Sequence, residues 1–206
     1  MRRGVVFDRD GTLIDVVRDE ETGAVVTAFH PDHVHLLPGA VEGLLALQRE
    51  GYAIAIATNQ PGPAKGHFSA AAVTRTNAAL VARLAEHGVV VSHVAVCMHH
   101  PGGAPHGDAS LIGPCACRKP LPGLVDEVVE SLSLDRASSW MVGDAQSDVA
   151  AGRAAGLNTA LVFSADRCEL CPLRNGVEVG ADRADVCVPD LARFASALLA
   201  GRGVRV

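Results

Sequence analysis

The feature that most restricts the fold is an alternation running through almost the whole chain. Short β-branched or apolar runs ("GVVFD", "YAIAIATN", "VSHVAVC", "SSWMVGD", "NTALVF", "ADVCV") are separated by stretches of helical character ("AVEGLLALQREG", "SAAAVTRTNAALVARLAEHG", "PGLVDEVVESLSL", "DVAAGRAAG", "DLARFASALLAG"). Strand and helix repeated in this way predict an α/β fold, a parallel sheet with helices on both faces. Gly51, Gly88 and Gly156 each follow a helical run as a stop, and Asp190 stands where the last helix needs an N-cap. The 206 residues suit a single domain over 1–206.

Composition narrows the partners. Apolar residues are 49% and charged residues 20% of the chain, as in a folded globular protein. The 18 Lys and Arg against 23 Asp and Glu give a net charge of -5, which argues against nonspecific binding to nucleic acid. No apolar stretch is long enough for an export signal or a membrane span, so a cytoplasmic protein without a membrane partner is expected. Nothing encodes a clear dimer surface, and a monomer is expected.

The polar residues fall at strand ends. Asp8 and Asp10 follow the first run, Thr58, Asn59 and Gln60 the second, and Asp144 follows "SSWMVG", while Arg118 and Lys119 precede a helix. In an open parallel sheet such residues converge at one edge, where ligands bind. Asp8 and Asp10, two apart on an extended segment, project to one side and Arg9 to the other. Two carboxylates so close need a divalent cation, a shared proton or a reacting electrophile; taken alone, the pair also fits a solvated turn with a side-chain cap.

As an ordered set, "FDRDGTL", "ATNQ", "RKP" and "VGDAQSD" resemble the four motifs of the haloacid dehalogenase superfamily phosphatases, and the resemblance covers roughly residues 5–199. It implies a Rossmann-like fold and phosphoryl transfer through an aspartyl-phosphate. Asp8 is then the nucleophile and Asp10 the acid that protonates the leaving oxygen and later activates water. Thr58 and Lys119 hold phosphoryl oxygens, and Arg9, Asn59, Gln60 and Arg118 are expected to bind substrate. Asp8, Asp144 and the backbone carbonyl of Asp10 are the implied Mg2+ ligands, with Asp148 in support. The interval between the first two motifs is filled by a loop and one helix, so no large cap domain is expected.

Cys97-x-His99 and, fifteen residues on, Cys115-x-Cys117 supply a Cys3His set suited to a closed tetrahedral Zn2+. A structural zinc would order the loop of about residues 97–119 and hold Arg118 and Lys119 over the pocket. His100 is the competing histidine; the pattern resembled here has Cys-x-His. This zinc-stabilised loop resembles the branch containing the heptose 1,7-bisphosphate phosphatases and the histidinol-phosphate phosphatases. Its length and "CRKP" favour the heptose type, a small phosphorylated sugar being the implied substrate. Histidinol phosphate or another phosphomonoester is the alternative, and a non-catalytic phospholigand-binding protein a more distant one.

The chain departs from that branch at Ala145, where a basic residue is usual, and at Pro61 and Lys65. Cys168 and Cys171 lack the ligands to close a second site, and Cys187 in "ADVCV" reads as a buried strand cysteine. His30, His33 and His35 read as surface residues, His30 and His33 being speculative substrate contacts. Trp140 is expected to pack at a strand start.

Overall fold

The computed structural model describes residues 2–18, 24–164 and 183–201. Its main sheet contains β1 (Gly4–Phe7), β4 (Ala53–Asn59), β5 (Val91–Cys97), β6 (Trp140–Gly143), β7 (Asn158–Val162) and β8 (Val186–Val188). The order is β5-β4-β1-β6-β7-β8, and every pairing is parallel. Two-residue strands β2 (Val17–Arg18) and β3 (Val25–Val26) form a small antiparallel pair within the interval expected to hold a loop and one helix.

Alternation along the strands divides the core into two layers. Val5, Phe7, Ile54 and Ile56 pack with residues of α1 (Ala40–Arg49), α3 (Ala70–Glu86) and α6 (Leu191–Leu199) on one face. Val6, Ala53, Ala55, Ala57 and Met141 pack under α4 (Gly123–Leu132) and α5 (Gln146–Ala154) on the other. Both faces of β1 and β4 are covered, which is why their runs are continuously apolar rather than alternating. Truncating a fully buried residue such as Leu80 to Ala should cost about 2–5 kcal/mol.

Helix ends follow the expected signals. Gly51, Gly88 and Gly156 have φ of +81°, +84° and +75°, and Asp190 Oδ1 accepts the Arg193 N–H at 2.8 Å. The Trp140 ring meets Phe194 edge-on at 5.6 Å, at the start of β6. A four-residue helix, α2 (Gly62–Lys65), was not foreseen.

Cys187 corrects an expectation. It lies in β8 but is exposed, because Val186 and Val188 take the inward positions of this edge strand. Cys168 and Cys171 lie outside the described residues. Among the described residues no helix is long and apolar enough to cross a membrane.

Candidate active site

The chain leaves β1 to one side through β4 and β5, then returns to its other side through β6. The carboxyl end of β1 is therefore the point where strand order reverses, and a crevice forms there. Asp8 extends the β1–β6 ladder by donating its N–H to the Val142 carbonyl at 2.9 Å. Asp144 follows β6 directly. An oxygen from each of Asp8, Asp144 and Asp148 lies within 4.8 Å of the others.

Lys119 joins this cluster from the segment that precedes α4. Its Nζ is 2.8 Å from Asp8 Oδ1 and 2.6 Å from Asp148 Oδ1, and it donates to the Ala57 carbonyl at 2.8 Å. Burial opposes its charge, but Asp148 and Asp8 outweigh burial and hold the ammonium above the ordinary lysine range. Burial and the neighbouring Asp8 push the Asp148 carboxyl up, against the pull of Lys119. Asp148 also accepts the Ala145 N–H at 3.0 Å on Oδ2, so it fixes Lys119 and starts α5 together.

Three carboxylates brought together offer hard oxygen donors, the environment a divalent cation fits. The backbone beside them is shaped for close approach. Gly11 has φ +82°, and a Cβ there would stand 2.2 Å from Asp144 Oδ2.

Above the cluster lies a cavity of about 370 Å³ lined by residues that include Asp8, Asp10, Thr58, Asn59, Arg118, Lys119, Ala145 and Asp148. Val25, Val26 and Thr27 supply one wall, and Lys65, His67 and Phe68 another. The Phe29 ring stacks on Phe68 at 5.2 Å and meets His33 edge-on at 4.6 Å. His30 and His33 are not among the lining residues.

Two expected substrate contacts are placed elsewhere. Arg9 and Gln60 have no exposed surface, and both donate to Asp10, Gln60 Nε2 to Oδ2 at 2.7 Å and Arg9 Nε to Oδ2 at 3.0 Å. The same Gln60 amide donates to Thr58 Oγ1 at 2.8 Å. They sit behind Asp10 rather than in the cavity, Arg9 because the alternation that turns Asp8 toward one face turns it toward the other. Asn59 lines the cavity, but its amide brackets the backbone of Lys119, donating to the carbonyl at 3.0 Å and accepting the N–H at 3.1 Å.

The second cluster stands beside the first. Cys97 ends β5, and Cys97, His99, Cys115 and Cys117 offer ligand atoms all within 4.8 Å of one another. The Cys97 to Cys115 sulfur distance is 3.7 Å, Cys117 Sγ to His99 Nδ1 is 3.6 Å and Cys97 Sγ to His99 Nδ1 is 3.9 Å. These are close to the edges of a tetrahedron about zinc, about 3.8 Å between sulfurs for Zn–S bonds of about 2.3 Å. The Cys97 to Cys117 edge is shorter, 2.9 Å. Without metal, burial and the neighbouring thiols push the Cys117 thiol up, and burial does the same to Cys97; a bound cation reverses that balance. His100 turns its Nδ1 to the Gly102 N–H at 3.0 Å. None of residues 98–118 is buried, so this loop has no apolar core of its own.

Comparison with known proteins agrees with this geometry. Residues 116–192 match the sequence model of the HAD-hydrolase-like family. The chain is 33% identical over 163 residues to the D-glycero-beta-D-manno-heptose-1,7-bisphosphate 7-phosphatase of Pasteurella multocida, covering 79% of this chain and 82% of that one. It is 31% identical to the protein of the same name from Pseudomonas putida, over 95% and 98% of the two chains. The solved D,D-heptose 1,7-bisphosphate phosphatase of B. bronchiseptica, complexed with magnesium and phosphate, superposes with a TM-score of 0.74 at 27% identity, covering 97% and 99% of the two chains. The chain belongs to the family of these haloacid dehalogenase-like phosphatases.

Proposed function

We propose that the chain is a magnesium-dependent phosphatase that removes the 7-phosphate of D-glycero-beta-D-manno-heptose 1,7-bisphosphate through an aspartyl-phosphate at Asp8. The observation that carries the reading is the single ammonium of Lys119 bound at once to Asp8 and Asp148, beside Asp144, on the floor of a cavity. Relatives that match most of the chain carry the name of this activity.

Asp8 attacks phosphorus as the sugar oxygen departs, while Thr58 and Lys119 meet the equatorial oxygens. Asp10 gives its proton to the leaving oxygen, so the alcohol leaves neutral. It then takes a proton from the water that attacks the phosphorus, the bond to Asp8 breaks, and phosphate is released. Asp8, Asp144 and the Asp10 carbonyl would hold a magnesium ion, which would supply Lewis-acid neutralisation of the phosphoryl oxygens. Cys97, His99, Cys115 and Cys117 would hold a structural zinc, which would order the loop that ends at Lys119.

Cationic side chains suit a second phosphate in the cavity. Lys65, His67 and Arg118 line it, and Arg118 Nη1 is buried with no hydrogen-bond partner among the described residues. A second phosphate would satisfy that donor, whereas the ammonium of histidinol phosphate would face like charges. Ala145 contributes no charge there, and Lys65 supplies one from α2. The substrate is a small phosphosugar, and the enzyme acts as a cytoplasmic monomer without a membrane or nucleic-acid partner, the net charge of -5 counting against nonspecific binding to nucleic acid.

The test is phosphate release by the zinc-replete protein with magnesium, offered heptose 1,7-bisphosphate and histidinol phosphate in parallel, with Asp8→Asn as control. Preferred turnover of the bisphosphate, lost in Asp8→Asn, is expected. Turnover of histidinol phosphate alone would overturn the substrate assignment.

A further inference from the structure

Arg9 is committed to three parts of the molecule at once. Nε donates to Asp10 Oδ2 at 3.0 Å and Nη2 to Asp10 Oδ1 at 3.2 Å, a side-on pairing that fixes the planes of both groups. Nη2 also donates to the Ala28 carbonyl at 2.5 Å, and Nη1 to Asn77 Oδ1 at 2.6 Å. The Ala28 N–H returns to Asp10 Oδ1 at 2.9 Å. With Gln60 on Oδ2, each Asp10 oxygen meets two donors.

Burying a guanidinium is costly unless its charge and its donors are matched. Arg9 is fully buried and Asn77, on α3, is 8% exposed. Asn77 therefore holds the far end of a cation whose near end sets the plane of Asp10. The same cation grips Ala28, next to the Val25–Thr27 wall of the cavity. Packing alone would be served as well by an apolar side chain between β1 and α3.

We propose that Asn77, acting through Arg9, is a positioning residue for Asp10, directing its carboxyl toward the leaving-group oxygen. The inference rests on the reading of Asp10 as proton donor. Its signature follows from the chemistry of the first step, in which the bridging O–P bond breaks, the Asp8–phosphorus bond forms and the Asp10 proton moves to the departing oxygen. An alkoxide is a poor leaving group and needs that proton, whereas a dinitrophenolate departs without it. Loosening Asp10 should penalise the first and spare the second. A general loss of structure would penalise both.

The experiment measures kcat/KM for a primary alkyl phosphate and for 2,4-dinitrophenyl phosphate with wild-type, Asn77→Leu, Asn77→Asp and Asp10→Asn proteins. kcat/KM covers the steps through departure of the alcohol and excludes hydrolysis of the phosphoenzyme. The ratio of the two values in one preparation also cancels any unfolded fraction. Asn77→Leu should lose on the order of 10- to 100-fold with the alkyl ester and stay within about twofold with the aryl ester. Asn77→Asp, which keeps an acceptor for Nη1, should restore the ratio. Equal losses on both esters, no loss on either, or no rescue by Asn77→Asp would overturn the assignment. Absence of leaving-group dependence in Asp10→Asn would instead remove the proton-donor reading on which it rests.

Discussion

The two clusters of potential metal ligands are neighbours, yet the chain assembles them by different means. Asp8 and Asp144 follow adjacent strands whose register places Phe7 opposite Val142, so the parallel ladder fixes their spacing. In the sulfur cluster only Cys97 belongs to a strand; His99, Cys115 and Cys117 sit on a loop without a buried residue between positions 98 and 118. The sheet has thus paid the ordering entropy of the carboxylates, while the loop must draw on ligation to offset its own. Lys119 lies two residues beyond Cys117 and is buried in the carboxylate cluster, so the fixed site depends for its cation on the loop.

Removing that cation tests the dependence most severely. Lys119→Met should lower kcat by about 10³-fold, read from steady-state phosphate release. It should also destabilise the fold by about 3–5 kcal/mol in urea titrations, because buried carboxylates lose their counter-ion. Cys115→Ser tests the other partner. Loss of one ligand should lower activity by about 10- to 100-fold, as misplacement rather than removal of Lys119, with reduced zinc content by elemental analysis. Activity unaffected by zinc loss would separate the clusters and break the comparison.

Asn59→Ala distinguishes metal from protein as the agent that seats the loop. Its amide grips the Lys119 backbone on both sides, and its loss should cost about 1–3 kcal/mol and reduce kcat by about tenfold, with zinc content unchanged. The smallest effect is expected at Asp185, outside both clusters. Burial raises its carboxyl, but bonds from the Thr159 N–H and hydroxyl and the charge of Arg153 bring it below its usual value. A carboxyl lowered in the folded state contributes stability above the unfolded pKa and loses it as pH falls through the folded one. Asp185→Asn should therefore cost less than about 1 kcal/mol at pH 7, a difference that closes below about pH 4 in denaturation curves.

The sheet was legible because each strand is an apolar run bounded by polar residues, and the convergence of Asp8, Thr58 and Asp144 followed from placing them at strand ends. The partners of these residues were harder to read. That Arg9 would face away from Asp8 was implied by strand alternation, but its anchor, Asn77, is 68 residues distant and carries no local signal. Asn59 looks like a substrate contact in "ATNQ"; only the approach of the loop to β4 shows that it holds Lys119. Cys187 was misjudged because its strand lies at the sheet edge, where one face is exposed. The β2–β3 pair was missed because its two-residue strands are too short to show alternation.

In the proposed mechanism Asp8 takes the phosphoryl group while Lys119, set by the loop, holds it in place. A single-turnover reaction quenched in acid, with peptide mapping by mass spectrometry, tests it directly. One phosphoryl group is expected on the peptide containing Asp8, appearing before free phosphate and absent from Asp8→Asn. Phosphate released with water oxygen directly, with no phosphorylated peptide at any time even in Asp10→Asn given 2,4-dinitrophenyl phosphate, whose leaving group needs no proton while the second step should stall, would contradict it.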